Sequence, residues 1–487
     1  MRFKLRAKQT ASKSTFHRIK TVLAVWLALL VPTFGLAQAT SSSDTPSSLP
    51  TAPMPQQRTS PAVLSGPVAG AQNSTSAGNG AAPTPLSLKE AQALALKNNP
   101  LISVARLTAL ASQQVTRQVR SNLWPTASID LTGVDSDPGS RISAGALNNP
   151  TVYPRAAAGA SVSQLLTDFG RTKNLIASAS LNAQAENQNA AATKEQILLA
   201  VDQAFYNALQ SQAVLAVAQR TVADRQTVAD QVGALYKNKL KSELDFSFAS
   251  VNLAQAKLLL LDAQNNENAA LATLSEVLGF RNLQSFQLIE DAEAVAPPPG
   301  NVDDLIATAF ADRPEILSLQ FQSESAKKFH SAERDLFFPD IHAMGVVGEA
   351  PVRDPVISSW YGAVGVDVNI PVFNGFLYSA RAREAGLRAQ AAEERVRDIE
   401  NRVSRDVRTS WLNASNAYER LSVTRQLLEQ SNLALKLAQT RYKLGLSSIV
   451  ELSQAQLQET QAQITNAQAG YDYDLALAIL QYQTSGI

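Results

Sequence analysis

The chain has 487 residues, 45% hydrophobic, 17% charged and 6% aromatic, with no cysteine and a formal charge of +1. That length holds two or three ordinary domains or one large elongated one. The missing cysteine excludes disulfides, thiolate metal sites, a cysteine nucleophile and lipid attachment through a cysteine. Seven Lys and Arg fall in the first 20 residues without one acid, so the rest is mildly acidic and gives no reason to expect a nucleic-acid partner.

An apolar run from Thr21 through Val31 follows the basic stretch, then Pro32 and Gly35-Leu36-Ala37-Gln38-Ala39. This is the order of a secretory signal peptide over residues 1–39, with cleavage expected after Ala37 or Ala39. The alternative is an uncleaved anchor, but the run falls short of the ~20 residues that span a bilayer. Residues 40–85 are mostly Ser, Thr, Pro, Ala and Gly with two charges, Asp44 and Arg58, and read as a disordered linker. No later stretch reaches 18 consecutive apolar residues. If the mature protein crosses a membrane it must do so as a β-barrel, the other structure that satisfies its backbone there.

The body repeats itself. Asn99-Pro100-Leu101 recurs as Arg313-Pro314-Glu315, and Leu123-Trp124-Pro125 as Phe337-Phe338-Pro339, both 214 positions on. The same offset carries Ser87-x-x-Glu90 onto Asn301-x-x-Asp304, each a helix N-cap signature. Further along, the offset is 206: Phe205-Tyr206-Asn207 aligns with Trp411-Leu412-Asn413 and Tyr236-Lys237 with Tyr442-Lys443. We therefore expect two repeats, 86–290 and 301–487, joined by a Pro-rich connector over 291–300.

Each repeat has the same order. Helical residues end at Asn122 in the first copy and near Asp335 in the second. Two stretches of period-2 alternation follow, with Ile129 and Leu131 in the first copy and Val364, Val366, Val368 and Ile370 in the second; such alternation puts apolar side chains on one face of a strand. Strand-to-helix turns are expected at Thr167-Asp168-Phe169-Gly170 and Val372-Phe373-Asn374-Gly375. Residues 171–235 then contain no Pro and a single Gly, Gly233, and 377–443 reads as a second helix of that length. Helices this long and Ala-rich suit thin layers packed side by side rather than a thick core. Four strands per chain cannot close a barrel, so a membrane-spanning form requires copies of the chain: eight strands in a dimer, or twelve and a pore in a trimer.

This order resembles the TolC-type outer-membrane efflux channel family over residues 87–487. The resemblance is carried by Leu88-Lys89-Glu90-Ala91 before Asn99-Pro100, Leu123-Trp124-Pro125, Pro371-Val372-Phe373-Asn374-Gly375, Arg441-Tyr442-Lys443-Leu444-Gly445 and Leu452-Ser453-Gln454-Ala455. It implies a mainly α fold with a small β part: two structural repeats, long α-helical hairpins and four transmembrane strands per chain, in a trimeric α-barrel/β-barrel tunnel. It further implies a homotrimer in the cell outer membrane with a long periplasmic extension, docked to a periplasmic adaptor and an inner-membrane transporter. Such a protein is a passive exit duct for efflux or type I secretion. The reading from pattern alone leaves open a periplasmic coiled-coil scaffold or adaptor without a pore.

No catalytic constellation, cofactor or metal site is expected. His330 and His342 have neither a helical metal-pair spacing nor an H-E-x-x-H context, and there is no P-loop or dinucleotide fingerprint. The Arg series from Arg381 to Arg408 reads as a solvated helix face interleaved with Glu and Asp. The hairpin tips carry the candidate sites: Asn238-Lys239-Leu240-Lys241 and Leu444-Gly445-Leu446-Ser447. Gly445 suits the left-handed residue that ends a helix, and Asn238 can take that conformation. Ser242-Glu243-Leu244-Asp245 and Ser448-Ile449-Val450-Glu451 follow, again 206 apart, and read as capping boxes. The resemblance adds a second role, in which Asp245 and Glu451 supply acidic groups around a closed entrance, with Gln454 where the family commonly has a second carboxylate. It also points to Asn238, Lys239, Leu444, Gly445, Leu446 and Ser447 as the adaptor contact.

Overall fold

A computed structural model describes residues 84–135, 155–282, 284, 286–290, 296–350 and 358–484. The expected signal peptide, all but two residues of the expected linker, and residues 291–295 of the expected connector lie outside the described residues. The linker reading runs slightly too far: Thr84 and Pro85 already belong to a short strand, β1 (Thr84–Leu86).

Ser87 opens α1 (Leu88–Asn98) with the expected capping box: Glu90 N donates to Ser87 Oγ, and Ser87 N donates to the Glu90 carboxylate at 3.0 Å. Asn99 separates it from α2 (Pro100–Ser121), which carries Pro at its first position, where the missing N–H loses nothing. Two strands follow, β2 (Thr126–Val134) and β3 (Arg155–Thr167), then α3 (Arg171–Lys237), α4 (Glu243–Val277) and a short β4 (Phe286–Leu288). The second succession is α5 (Val302–Asp312), α6 (Pro314–Arg334), a 3₁₀ turn, β5 (Asp340–Glu349), β6 (Trp360–Asn369), α7 (Leu377–Lys443) and α8 (Ile449–Thr484). Both α3 and α7 have 67 residues, about 100 Å each at 1.5 Å per residue.

The helices form thin layers. On one side α3 packs along α2 and α4; on the other it packs along α6 and α8, and α7 packs against both of these. Burial along α3 falls largely on Ala, among them Ala183, Ala185, Ala192, Ala204, Ala208, Ala218 and Ala229, so the helices lie close together. Larger side chains meet in two small cores that repeat the 206 offset. Ile197 and Val201 pack in one with Ala91 and Ala95; Val403 and Val407 pack in the other with Ile306 and Ala309. By length and composition α4 is apolar enough to cross a membrane. It instead runs beside α3 as α8 runs beside α7, with Lys257, Asp262 and Glu267 along it.

The four longer strands make one antiparallel sheet in the order β2-β3-β5-β6, and β1 pairs with β4 in a small parallel pair. The pattern-based reading missed β1 and β4, each only three residues long. The two halves of the chain meet where Ala160 of β3 pairs with Val347 of β5. The outer edges of β2 and β6 have no partner strand within the described residues.

Candidate functional site

The sheet has two unlike faces. Registered neighbours share a face, and following the register across all four strands gives Ile129, Ala160, Val347 and Gly362 on one row and Ala127, Val162, Gly345 and Val364 on the next. This face is apolar between Gln164, beside Ala343 at one end of the sheet, and Glu349, beside Trp360 at the other. The opposite face carries Ser128, Asp130, Ser161, Ser163, His342 and Asp367, with Met344 and Val346 among them. Val364 is 93% exposed, Leu131 80% and Ile129 79% in the single chain. Branched apolar side chains left so open across a whole sheet face demand an apolar surrounding.

At the other end of the long helices lie the two hairpin tips. Each turn closes the same way: Leu240 N donates to Leu235 O at 2.9 Å, and Leu446 N donates to Arg441 O at 2.8 Å. That six-to-one bond places the preceding residue in the left-handed region. In the second tip it is Gly445, φ +73°, as expected; in the first it is Lys239, φ +56°, and not Asn238, whose φ is −89°. The correction follows from the offset, since Lys239 stands 206 positions before Gly445. Leu444 and Leu446, 68% and 67% exposed, project from the second tip, as Leu240 does from the first.

The acidic residues behave differently in the two copies. Ser242 and Asp245 form a full capping box: Asp245 N donates to Ser242 Oγ, and Ser242 N and Oγ donate to the Asp245 carboxylate. In the second tip the expected box is only half made. Glu451 N donates to Ser448 Oγ at 3.4 Å, but the Glu451 carboxylate turns to Arg441, 3.5 Å away across the turn. Asp245 and Glu451 are thus held within their own hairpins, and exposed Gln454 joins neither of them.

Besides Gln210 to Asp472 further along, three contacts near the tips stitch one hairpin to the other. Lys241 Nζ sits 4.0 Å over the Tyr442 ring, Asn252 donates to Ser453 Oγ at 2.6 Å, and Arg225 reaches the backbone and side chain of α8. Burial first, and then the Asp245 carboxylate, push the Tyr442 hydroxyl up from its ordinary value. Gly233 has its use here: a Cβ would lie 3.2 Å from Phe246, which stacks on Tyr236. No motif in the sequence marks Arg225, one of several basic residues along α3. The Arg series is largely as expected, with Arg388, Arg397 and Arg402 paired to Glu384, Glu394 and Asp398. Arg381 differs by reaching the buried Glu333 at 2.7 Å.

These features place the chain among known proteins. It belongs to the outer membrane efflux protein family, whose pattern matches residues 92–280 and 305–483. The outer membrane efflux protein BepC of Brucella suis is 22% identical over 323 residues, covering 65% of this chain and 69% of its own. The alkaline protease secretion protein AprF of Pseudomonas aeruginosa is 22% identical over 409 residues, covering 82% and 84%. The solved outer membrane protein VceC of Vibrio cholerae has the same fold, with a TM-score of 0.69 at 17% identity over 82% of this chain and 96% of that one. The protein is therefore a TolC-like outer-membrane efflux channel, a mostly helical fold with a small sheet part, and its family is one of channels rather than enzymes.

Proposed function

We propose that this protein is the passive exit duct of a tripartite efflux or type I secretion system. Residues 1–39 direct export and are removed, and 40–83 serve as a linker. Three copies then close β2-β3-β5-β6 into a twelve-stranded barrel, wide enough to leave a pore. The observation that carries this reading is the apolar face running across all four strands between Gln164 and Glu349, in a sheet whose outer edges have no partner strand among the described residues. Copies of the chain satisfy both needs at once, since edge-to-edge pairing closes the sheet and lipid covers its apolar face. A pore-less periplasmic scaffold would have no use for such a face. The tips, with Asn238, Lys239, Leu444, Gly445 and Leu446 exposed and Ser447 half-buried among them, serve as the docking ends for an adaptor that links the duct to an inner-membrane transporter. Efflux and secretion both fit, because BepC is named for the first and AprF for the second.

In the trimer Asp245 and Glu451 supply acidic groups at the periplasmic entrance and favour cations. The test is single-channel conductance of the purified protein in planar bilayers, with wild type beside Asp245→Ala/Glu451→Ala. The expected result is a small cation-preferring conductance that rises or loses selectivity in the variant. Conductance unchanged by the substitutions would leave the pore and return both residues to structural roles. A folded oligomer that neither inserts nor conducts would overturn the duct itself.

A further inference from the structure

Beside the tips, α3, α7 and α8 border a cavity of about 390 Å³ whose lining is both charged and apolar. Arg225, Lys241 and Lys443 face it against a single acid, Asp224. Arg225 is only 7% exposed. Its Nη2 donates to Gln456 O at 2.8 Å and to Thr460 Oγ1 at 2.9 Å, but among the described residues no carboxylate comes within ion-pair distance of it. A buried guanidinium whose hydrogen bonds go to neutral acceptors, with the Glu459 and Asp224 carboxylates acting on it only from beyond ion-pair distance, is incompletely compensated for its lost hydration. Two further lining side chains, Tyr442 and Gln456, are more than nine-tenths buried, and the Tyr442 hydroxyl and Gln456 Nε2 have no hydrogen-bond partner. Unmade bonds of this kind are costly in a protein interior. Val228, Val232, Leu435 and Leu452 complete the wall.

We propose that this cavity binds a small organic carboxylate with an apolar body. The carboxylate pairs with the Arg225 charge and takes the bonds that Gln456 Nε2 and the Tyr442 hydroxyl leave unmade, and the body lies against the aliphatic wall. A bound molecule then bridges α3 of one hairpin to α7 and α8 of the other and tightens the periplasmic end. The site depends on the hairpin packing alone, not on conduction, so it can be tested apart from the duct.

The assembled full-length protein in detergent is titrated with 4-phenylbutyrate, with the neutral 4-phenylbutanol as control, by calorimetry and by thermal midpoint. The expected result is saturable binding of the acid alone, with a raised midpoint. Gln456→Met should weaken binding at least tenfold without lowering the midpoint of the unliganded protein, because it removes a donor that has no partner. Arg225→Met should abolish binding, and Gln456→Met keeps the question decidable if that variant fails to fold. Equal behaviour of acid and alcohol, or wild-type affinity in Gln456→Met, would overturn the proposal. Binding by dissociated protomers but not by the assembly would also overturn it, since a neighbouring side chain would then fill the cavity.

Discussion

Arg441 and Glu451 face each other across the second hairpin turn, Nη1 to Oε1 at 3.5 Å, whereas the residues 206 positions earlier, Leu235 and Asp245, can form no such pair. Two differences between the copies, Leu235 against Arg441 and the shorter Asp245 against Glu451, therefore decide what the tip carboxylate does. With no cation opposite, Asp245 folds back on Ser242; with Arg441 opposite, Glu451 leaves its capping box incomplete.

The two carboxylates should consequently respond differently to replacement. Arg441 and Glu451 are both exposed, and such pairs contribute about 0–1 kcal/mol and weaken with salt. Glu451→Gln should leave the thermal midpoint nearly unchanged while shifting the reversal potential in a salt gradient. Asp245→Ala removes a capping-box partner and should destabilise the first hairpin by about 0.5–1 kcal/mol, read by circular dichroism at 222 nm. A larger stability loss in Glu451→Gln than in Asp245→Ala would contradict the assignment.

The left-handed turn residues supply an opposed pair of substitutions. Lys239 holds φ +56° with a side chain, and Gly445 holds φ +73° without one. Left-handed strain of about 1–2 kcal/mol on Lys239 exceeds the ~0.5–1 kcal/mol of extra chain entropy that glycine gives up on folding. Lys239→Gly should therefore stabilise the tip by up to about 1 kcal/mol, and Gly445→Ala should destabilise it by about the same amount. Thermal melts of both variants check the two signs together.

Helix extent was highly legible because 171–235 and 377–443 hold no Pro and only Gly233 and Gly386. The expected 377–443 is the observed α7, and the expected 171–235 stops two residues short of the end of α3. The repeat offset was legible too, and it aligns Lys239 with Gly445, against the general preference of Asn for left-handed turns. What the sequence hid was tertiary. β1 and β4 are too short for any period to register. Arg225, Tyr442 and Gln456 come together only because α3 packs across α8, a contact between residues some 230 positions apart that no local pattern encodes. The strand alternation predicted an apolar face on each strand, but only the register shows the four faces to be one.

That continuous face gives a direct test of insertion. Val364 is 93% exposed on β6, with Gly345 beside it in the register. A charged residue on the lipid face of a barrel costs about 2–4 kcal/mol at the midplane and little near the interfaces. Val364→Arg should reduce the heat-modifiable, membrane-inserted fraction in outer-membrane extracts, while Asp367→Arg, on the opposite face, should leave it near wild type. Equal loss in both would show that face polarity does not govern insertion.

Glu195 makes stability depend on pH away from the membrane. It lies on α3, where burial chiefly, and then the Glu315 carboxylate, push its pKa up from 4.5 to about 7, opposed by Arg313, which pairs with Glu315 at 3.4 Å. The folded protein thus holds a proton on Glu195 that the unfolded chain releases near its ordinary value. Where the folded state binds more protons, stability falls as pH rises, so this group's contribution is fully present below pH about 4.5 and is lost as pH climbs to about 7. Glu195→Gln fixes the neutral form and should leave the midpoint at pH 5 close to wild type while raising it at pH 8. Because Glu195 is partly exposed, solvent screening keeps the gain modest. Parallel melting curves of wild type and variant from pH 5 to 8 should diverge upward with pH; curves that stay parallel would mean that Glu195 ionises in the fold as it does in water.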